Sequence, residues 1–201
     1  MFFASGILLG MRIVTFDIET IGGFSRGSWN MDELEMTICC THDSETDAYD
    51  SFLKDDLPRL WKLFEHTDAL VGFNSNHFDI PVLNKYYPGD LIKIRSIDIL
   101  KEVYEKLGRR IKLDSIAAGT LGTKKSGSGL DAMRWWKEGN IKKLREYCLK
   151  DVEITKKVFD YALKNGSLKY KELGLTKEIK LDTSHWLIEK PAASLTKTLG
   201  F

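Results

Sequence analysis

The chain has 201 residues, of which 43% are apolar and 29% charged, with a formal net charge of +1. That is enough for one domain with a full core and too little for two ordinary ones, and the composition excludes disordered, fibrous and disulfide-stapled classes. No apolar run approaches the roughly 20 residues of a membrane helix, and three cysteines, two of them adjacent at Cys39 and Cys40, argue against a disulfide framework and for a reducing, cytoplasmic compartment.

The opening MFFASGILLG lacks the basic start and cleavage pattern of a signal peptide. Met11 directly precedes the first strand, so residues 1–10 read as an N-terminal extension. RIVTFDIET predicts a strand, GGFSRGSWNMDE a loop, and MTICCTH and TDAYDSF two further strands of an antiparallel meander. Cys39, Cys40 and His42 lack metal-ligand spacing and read as part of a buried strand. LPRLWKLFEHT carries Leu57, Leu60, Trp61 and Phe64 at helical spacing. ALVGFN predicts a buried strand, and DIPVLNKYY a helix with Asp79 near its N-cap and Pro81 in its first turn. SIDILKEVYEKLG predicts a helix ending at Gly108, and a basic stretch, RRIKLDSIAAGTLGTKKSGSG, follows. The longest predicted helix runs from Asn140 to Asn165, with Gly166 as its C-cap. KYKEL and IKLDTSHWLIE, within residues 167–201, suggest an added edge strand. Strands first, then alternating helix and strand, predict an α/β domain with a mixed central sheet flanked by helices.

GTLGTKKS and GSGLDA have the flavour of phosphate loops, but neither fits the register or the strand–loop–helix context those loops need. Charge is unevenly spread. Residues 17–65 hold 12 acids against 4 bases, and residues 101–145 hold 12 bases against 5 acids. Such a split suits a cation site beside a polyanion cleft.

The acids carry the chemistry. Asp17 and Glu19 interrupt an apolar strand two residues apart, so they share a face, where like charges repel. Asp79 stands at a helix entry, where the backbone N–H groups and the dipole favour an anion. Asp151 and Tyr147 lie four residues apart on the longest helix, beside its apolar stripe. Taken singly, Asp79 reads as a cap, Asp151 as a salt-bridge partner and Tyr147 as an interface aromatic. Converging carboxylates need compensating charge, and hard oxygen donors suit Mg²⁺ or Mn²⁺.

FDIET (16–20), GFNSNHFDIP (72–81) and YCLKD (147–151) together resemble the three motifs of the DEDD exonuclease superfamily, and the tyrosine four residues before the last aspartate marks its DEDDy branch. The wording is similar to the DnaQ-like proofreading exonuclease domain of family B DNA polymerases and to related stand-alone exonucleases. LDSIAAGTLGTKK and EGNIKKLREYCLKDV add to the likeness, which covers residues 11–165. Position 146, where the histidine branch of the superfamily would place its histidine, is Glu146.

The resemblance implies an RNase H-like domain over residues 11–166, with residues 167–201 as a C-terminal extension of unassigned role. It implies a two-metal mechanism, with Asp17 bridging two ions, Glu19 and Asp151 completing the first site, and Asp79 holding the second. Tyr147 would orient the attacking water, and a nucleoside 5′-monophosphate would leave from a 3′ end. Thr20 and Asn74 would hydrogen-bond the terminal nucleotide, and Phe73 or Phe78 would stack on a base. Lys124, Lys125, Lys142, Lys143 and Arg145 are candidates for phosphate contacts. Trp135 and Trp136 read as packing. The expected partners are nucleic acid with single-stranded or frayed 3′ ends, DNA favoured over RNA, and a replication or repair protein; no membrane is expected. A silent binding module, an endonuclease and an exoribonuclease of this fold stay open as alternatives.

Overall fold

The computed structural model describes residues 10–25, 28–123 and 128–188. Strand β1 (Ile13–Ser25) and strand β2 (Ser28–Asp43) form a long antiparallel pair, and β3 (Ala48–Phe52) pairs antiparallel with β2. On the other side of β1, β4 (Ala69–Gly72) and then β5 (Ser96–Asp98) add in parallel. The sheet order is β3-β2-β1-β4-β5. Helix α1 (Leu57–Glu65) connects β3 to β4, α2 (Asp79–Asn84) follows β4, and α3 (Ile99–Leu107) follows β5. Then come α4 (Leu113–Thr120), α5 (Gly129–Lys137) and the long α6 (Ile141–Asn165). The mixed sheet flanked by helices agrees with the expectation.

β1 divides the core. Val14, Phe16 and Ile18 point toward α1 and α2, where they pack with Leu60, Phe64 and Leu83. Ile13 points the other way, into a cluster with Val71, Ile97, Ile154 and Phe159 under α6. By the alternation of strand side chains, Thr15, Asp17 and Glu19 face α6 as well. This is the step that turns two acids in a strand into two acids beneath a helix.

Three elements differ from the sequence reading. The loop expected at GGFSRGSWNMDE is instead an extension of β1 and β2 in one hairpin. Turn-forming glycines suggested a loop, but at Gly22 (φ +90°) the requirement is steric, since a Cβ would lie 2.6 Å from the carbonyl oxygen of Glu33 on the partner strand. In SIDILKEVYEKLG the first three residues form β5, with Asp98 capping α3 through bonds from the N–H groups of Leu100 and Lys101. The buried Ile97 shows why a short parallel strand wins there over one more helical turn. ALVGFN ends as a strand at Gly72, because Asn74 takes a left-handed conformation (φ 68°) that breaks the ladder.

The C-terminal strands β6 (Ser167–Glu172) and β7 (Leu175–Lys180) pair with each other, apart from the main sheet. Leu168, Tyr170 and Ile179 join the same core as Ile13 and Val71. The hairpin lies so close to α4 that a Cβ on Gly119 would fall 2.5 Å from Tyr170 Cα. Trp186 stacks on Phe159 at 5.5 Å. The expected N-terminal extension, residues 1–10, lies outside the described residues apart from Gly10, as does the chain beyond residue 188.

Candidate active site

α6 begins at Asn140, whose side chain accepts from Lys143 N–H, and ends at Gly166 in the left-handed region. Its buried stripe includes Leu144, Cys148, Val152, Thr155 and Phe159, and Tyr147 and Asp151 lie within that stripe. The helix therefore presents Tyr147 and Asp151 to the face of β1 that carries Asp17 and Glu19. Cys148 marks the contact: its thiol lies 3.5 Å from the Asp17 carbonyl oxygen. Burial and a hydrogen bond with Cys40 push that thiol well above its usual range, so it packs beside the acids as a neutral group.

Carboxylate oxygens of Asp17, Glu19 and Asp151 approach within 4.8 Å of one another. Glu19 and Asp151 are buried, and Asp17 is partly exposed. Three hard oxygen donors from two elements, converging at this spacing, fit a divalent cation of the Mg²⁺ or Mn²⁺ kind. Asp79 completes the ring of acids from a third element. It lies next to the N-cap of α2, as expected, with Phe78 in the cap position itself. Its carboxylate accepts the N–H of Ile18 at 3.1 Å. β4 pairs with β1 only through Ile13–Thr15, so Asp79 covers a backbone donor that the neighbouring strand leaves bare. Burial pushes the Asp79 carboxyl up to about 7, against the pull of the Ile18 bond, and the nearby Asp98 pushes the same way.

These acids border a cleft of about 520 Å³ lined by Asp17, Glu19, Asp79, Tyr147 and Asp151 together with Thr20, Phe73, Asn74 and Phe78. Each candidate proposed from the three motifs thus meets at one place. Leu130 and Met133 of α5 close the opposite side. Phe73 and Phe78 are half-buried, each packing on a core cluster while lining the cleft. Lys142, Lys143 and Arg145 are exposed on the first turns of α6 and do not line it. Lys124 and Lys125 lie outside the described residues.

Three residues outside the motif candidates contribute to the site, Trp135 as the expected packing and Asp98 and Arg110 with no role expected from the sequence. Trp135 packs edge-on against Tyr147, with ring centroids 5.7 Å apart. Asp98, buried behind the second motif, accepts from the N–H groups of Asn74 at 2.7 Å and Asn76 at 3.0 Å. Arg110 donates to the Asn74 side-chain oxygen. A capping residue and a basic run were visible signals, but nothing in their spacing tied them to residue 74.

The RNase H superfamily profile matches residues 14–163. No protein of curated function matches the chain. Among solved structures, the family B DNA polymerase of the hyperthermophilic archaeon Pyrobaculum calidifontis shares 21% identity with a TM-score of 0.57. The match covers 77% of this chain and 24% of the polymerase, so the chain spans about a quarter of that protein. No helix among the described residues is long and apolar enough to cross a membrane. With the profile covering most of the domain, and the sheet order and flanking helices agreeing with it, the chain belongs to the RNase H superfamily and has its nuclease fold.

Proposed function

We propose that the protein is a metal-dependent 3′–5′ exonuclease that removes nucleoside 5′-monophosphates from the 3′ end of single-stranded DNA. The observation that carries this reading is the convergence of Asp17, Glu19, Asp79 and Asp151 with Tyr147 around one cleft. Asp17, Glu19 and Asp151 would hold one divalent ion, Mg²⁺ or Mn²⁺, and Asp17 with Asp79 a second. Bound there, such ions supply Lewis-acid polarisation of the phosphoryl group and a water of lowered pKa.

The remaining chemistry belongs to the chain. Tyr147 directs its hydroxyl at the attacking water and acts by positioning. The Thr20 hydroxyl and the Asn74 amide hydrogen-bond the terminal nucleotide, and the faces of Phe73 and Phe78 offer stacking, worth about 1–3 kcal/mol per base. Lys124 and Lys125 would contact backbone phosphates. The likeness to a polymerase in fold supports DNA over RNA and a replication or repair setting.

The test is a gel time course on 5′-labelled single-stranded DNA and RNA of one sequence, with Mg²⁺, Mn²⁺ or EDTA, beside an Asp17→Ala control. A metal-dependent ladder shortening from the 3′ end, absent in the variant, is the expected result. Cleavage of a circular single strand would point to endonuclease action instead. Intact substrate in every lane, from folded protein that still binds the strand, would leave a binding module.

A further inference from the structure

Beside the carboxylate cleft lies a second groove of about 360 Å³, bordered by Asn74, His77, Asp98, Lys101, Tyr104 and Arg110. That size is in the range of ligand sites, about 300–1,000 Å³. Asn74 lines both cavities and is the wall between them. The wall is rigidly held: the Asn74 N–H donates to Asp98, its side-chain oxygen accepts from Arg110, and its backbone sits at φ 68°.

The groove's chemistry is uneven in a useful way. Asp98 is only 4% exposed, and its carboxylate is engaged by four backbone N–H groups, those of Asn74, Asn76, Leu100 and Lys101. The charges that meet solvent are Lys101 and Arg110, with His77 beside them. Lys101 has a competitor in Glu105, 3.8 Å away, but both side chains are more than half exposed, and such pairs are weak enough for an arriving phosphate to displace. Tyr104 is 50% exposed and stands three residues after Lys101 on α3, so the ring and the ammonium share one helix face. An aromatic platform beside mobile cations is how sequence-tolerant sites grip a single strand.

We propose that this groove takes the single-stranded nucleic acid leading away from the cleaved end, with a base on Tyr104 and phosphates on Lys101 and Arg110. The proposal rests on the nuclease reading of the carboxylate cleft, whose terminal nucleotide would lie across Asn74. The protein would then hold its substrate at two places and grip long strands better than short ones.

The experiment measures fluorescence anisotropy of 5′-fluorescein oligothymidylates and oligouridylates, a dinucleotide and a decanucleotide of each, in Ca²⁺ so that binding is read without turnover. Tyr104→Ala is expected to weaken decanucleotide binding about tenfold and dinucleotide binding less than about twofold, while Tyr104→Phe keeps the wild-type affinity. Lys101→Ala should lower the slope of log affinity against log salt by about 0.7, the loss of one single-strand phosphate contact. Melting curves verify that each variant is folded. Equal affinity of wild type and Tyr104→Ala for the decanucleotide overturns the proposal, as do an equal loss for the dinucleotide and a wild type that binds neither strand. If wild type binds as expected but cleaves nothing with Mg²⁺ or Mn²⁺, the nuclease reading fails while the anisotropy difference still decides the groove.

Discussion

The β1–β2 pair holds acids at one of its ends and again along its length, and the two places treat them in opposite ways. At one end Asp43 meets Arg12 through two bonds of 3.1 and 2.7 Å, and also accepts from the Glu45 N–H and the Thr46 hydroxyl. Burial alone would raise the Asp43 carboxyl, but these bonds outweigh it and hold the group below its usual range. Further along β1, where Asp17 pairs with Cys40 and Glu19 with Ile38, Asp17, Glu19 and Asp151 crowd within 4.8 Å of one another, and Asp79 is pushed up to about 7 by burial. The first arrangement stabilises the native state as it stands. The second sets like charges against each other in a cleft, which costs stability until a cation binds.

The sharpest way to break this contrast is to neutralise one acid of the crowded cluster. Asp17→Asn should lower nuclease turnover on the order of a thousandfold, yet raise metal-free stability by about 1 kcal/mol through relief of repulsion. Parallel turnover assays and urea unfolding in EDTA check both. If the variant is less stable than wild type, the crowded acids are structural, as Asp43 is.

Metal addition sharpens the same point without a mutation. Mn²⁺ at a hundredfold excess over its dissociation constant should stabilise the wild type by about 2.7 kcal/mol, and this gain should largely vanish in Asp17→Asn. Thermal melts with and without EDTA read the difference. A gain of equal size in the variant would place the ion elsewhere.

At the satisfied end, Asp43→Asn should cost about 1–2 kcal/mol at neutral pH, because it weakens charge-assisted bonds to a partly buried guanidinium. The folded-state carboxyl sits below its unfolded value. Its contribution is therefore present above about pH 4 and is lost as pH falls through the folded pKa. The gap between wild type and variant should close between neutral and strongly acid pH, as measured by urea midpoints. A gap that stays constant would assign the loss to packing rather than charge.

What the sequence revealed follows from the range of the physics involved. Alternation is local, so Asp17 and Glu19 could be seen to share a face, and helical periodicity placed Tyr147 with Asp151. The three motifs gathered Asp79, Thr20, Asn74, Phe73 and Phe78, which do line one cleft. Tertiary effects were not legible. Gly22 looked like a turn because the Glu33 carbonyl that crowds it lies across the hairpin. β5 looked like helix because burial of Ile97 between sheet and helices is invisible along the chain. Asp98 showed no tie to Asn74, 24 residues earlier in sequence.

Trp135 gives the smallest and most informative effect. As one of two adjacent tryptophans at the end of a helix, just before α6, it reads as packing, and it does pack, but its partner is the Tyr147 ring. An edge-to-face pair of this kind is worth about 0.5–1.5 kcal/mol, so Trp135→Ala should slow turnover roughly two- to tenfold with little change in KM. Trp135→Phe should recover much of the loss. If Trp135 acts by holding the Tyr147 hydroxyl on its target, the two residues are coupled, and Trp135→Ala should cost almost nothing further once Tyr147→Phe has removed that hydroxyl. Additive losses in the double variant would mean that Trp135 supports α5 and the cleft wall at Leu130 and Met133 instead, and that Tyr147 keeps its aim through α6 alone.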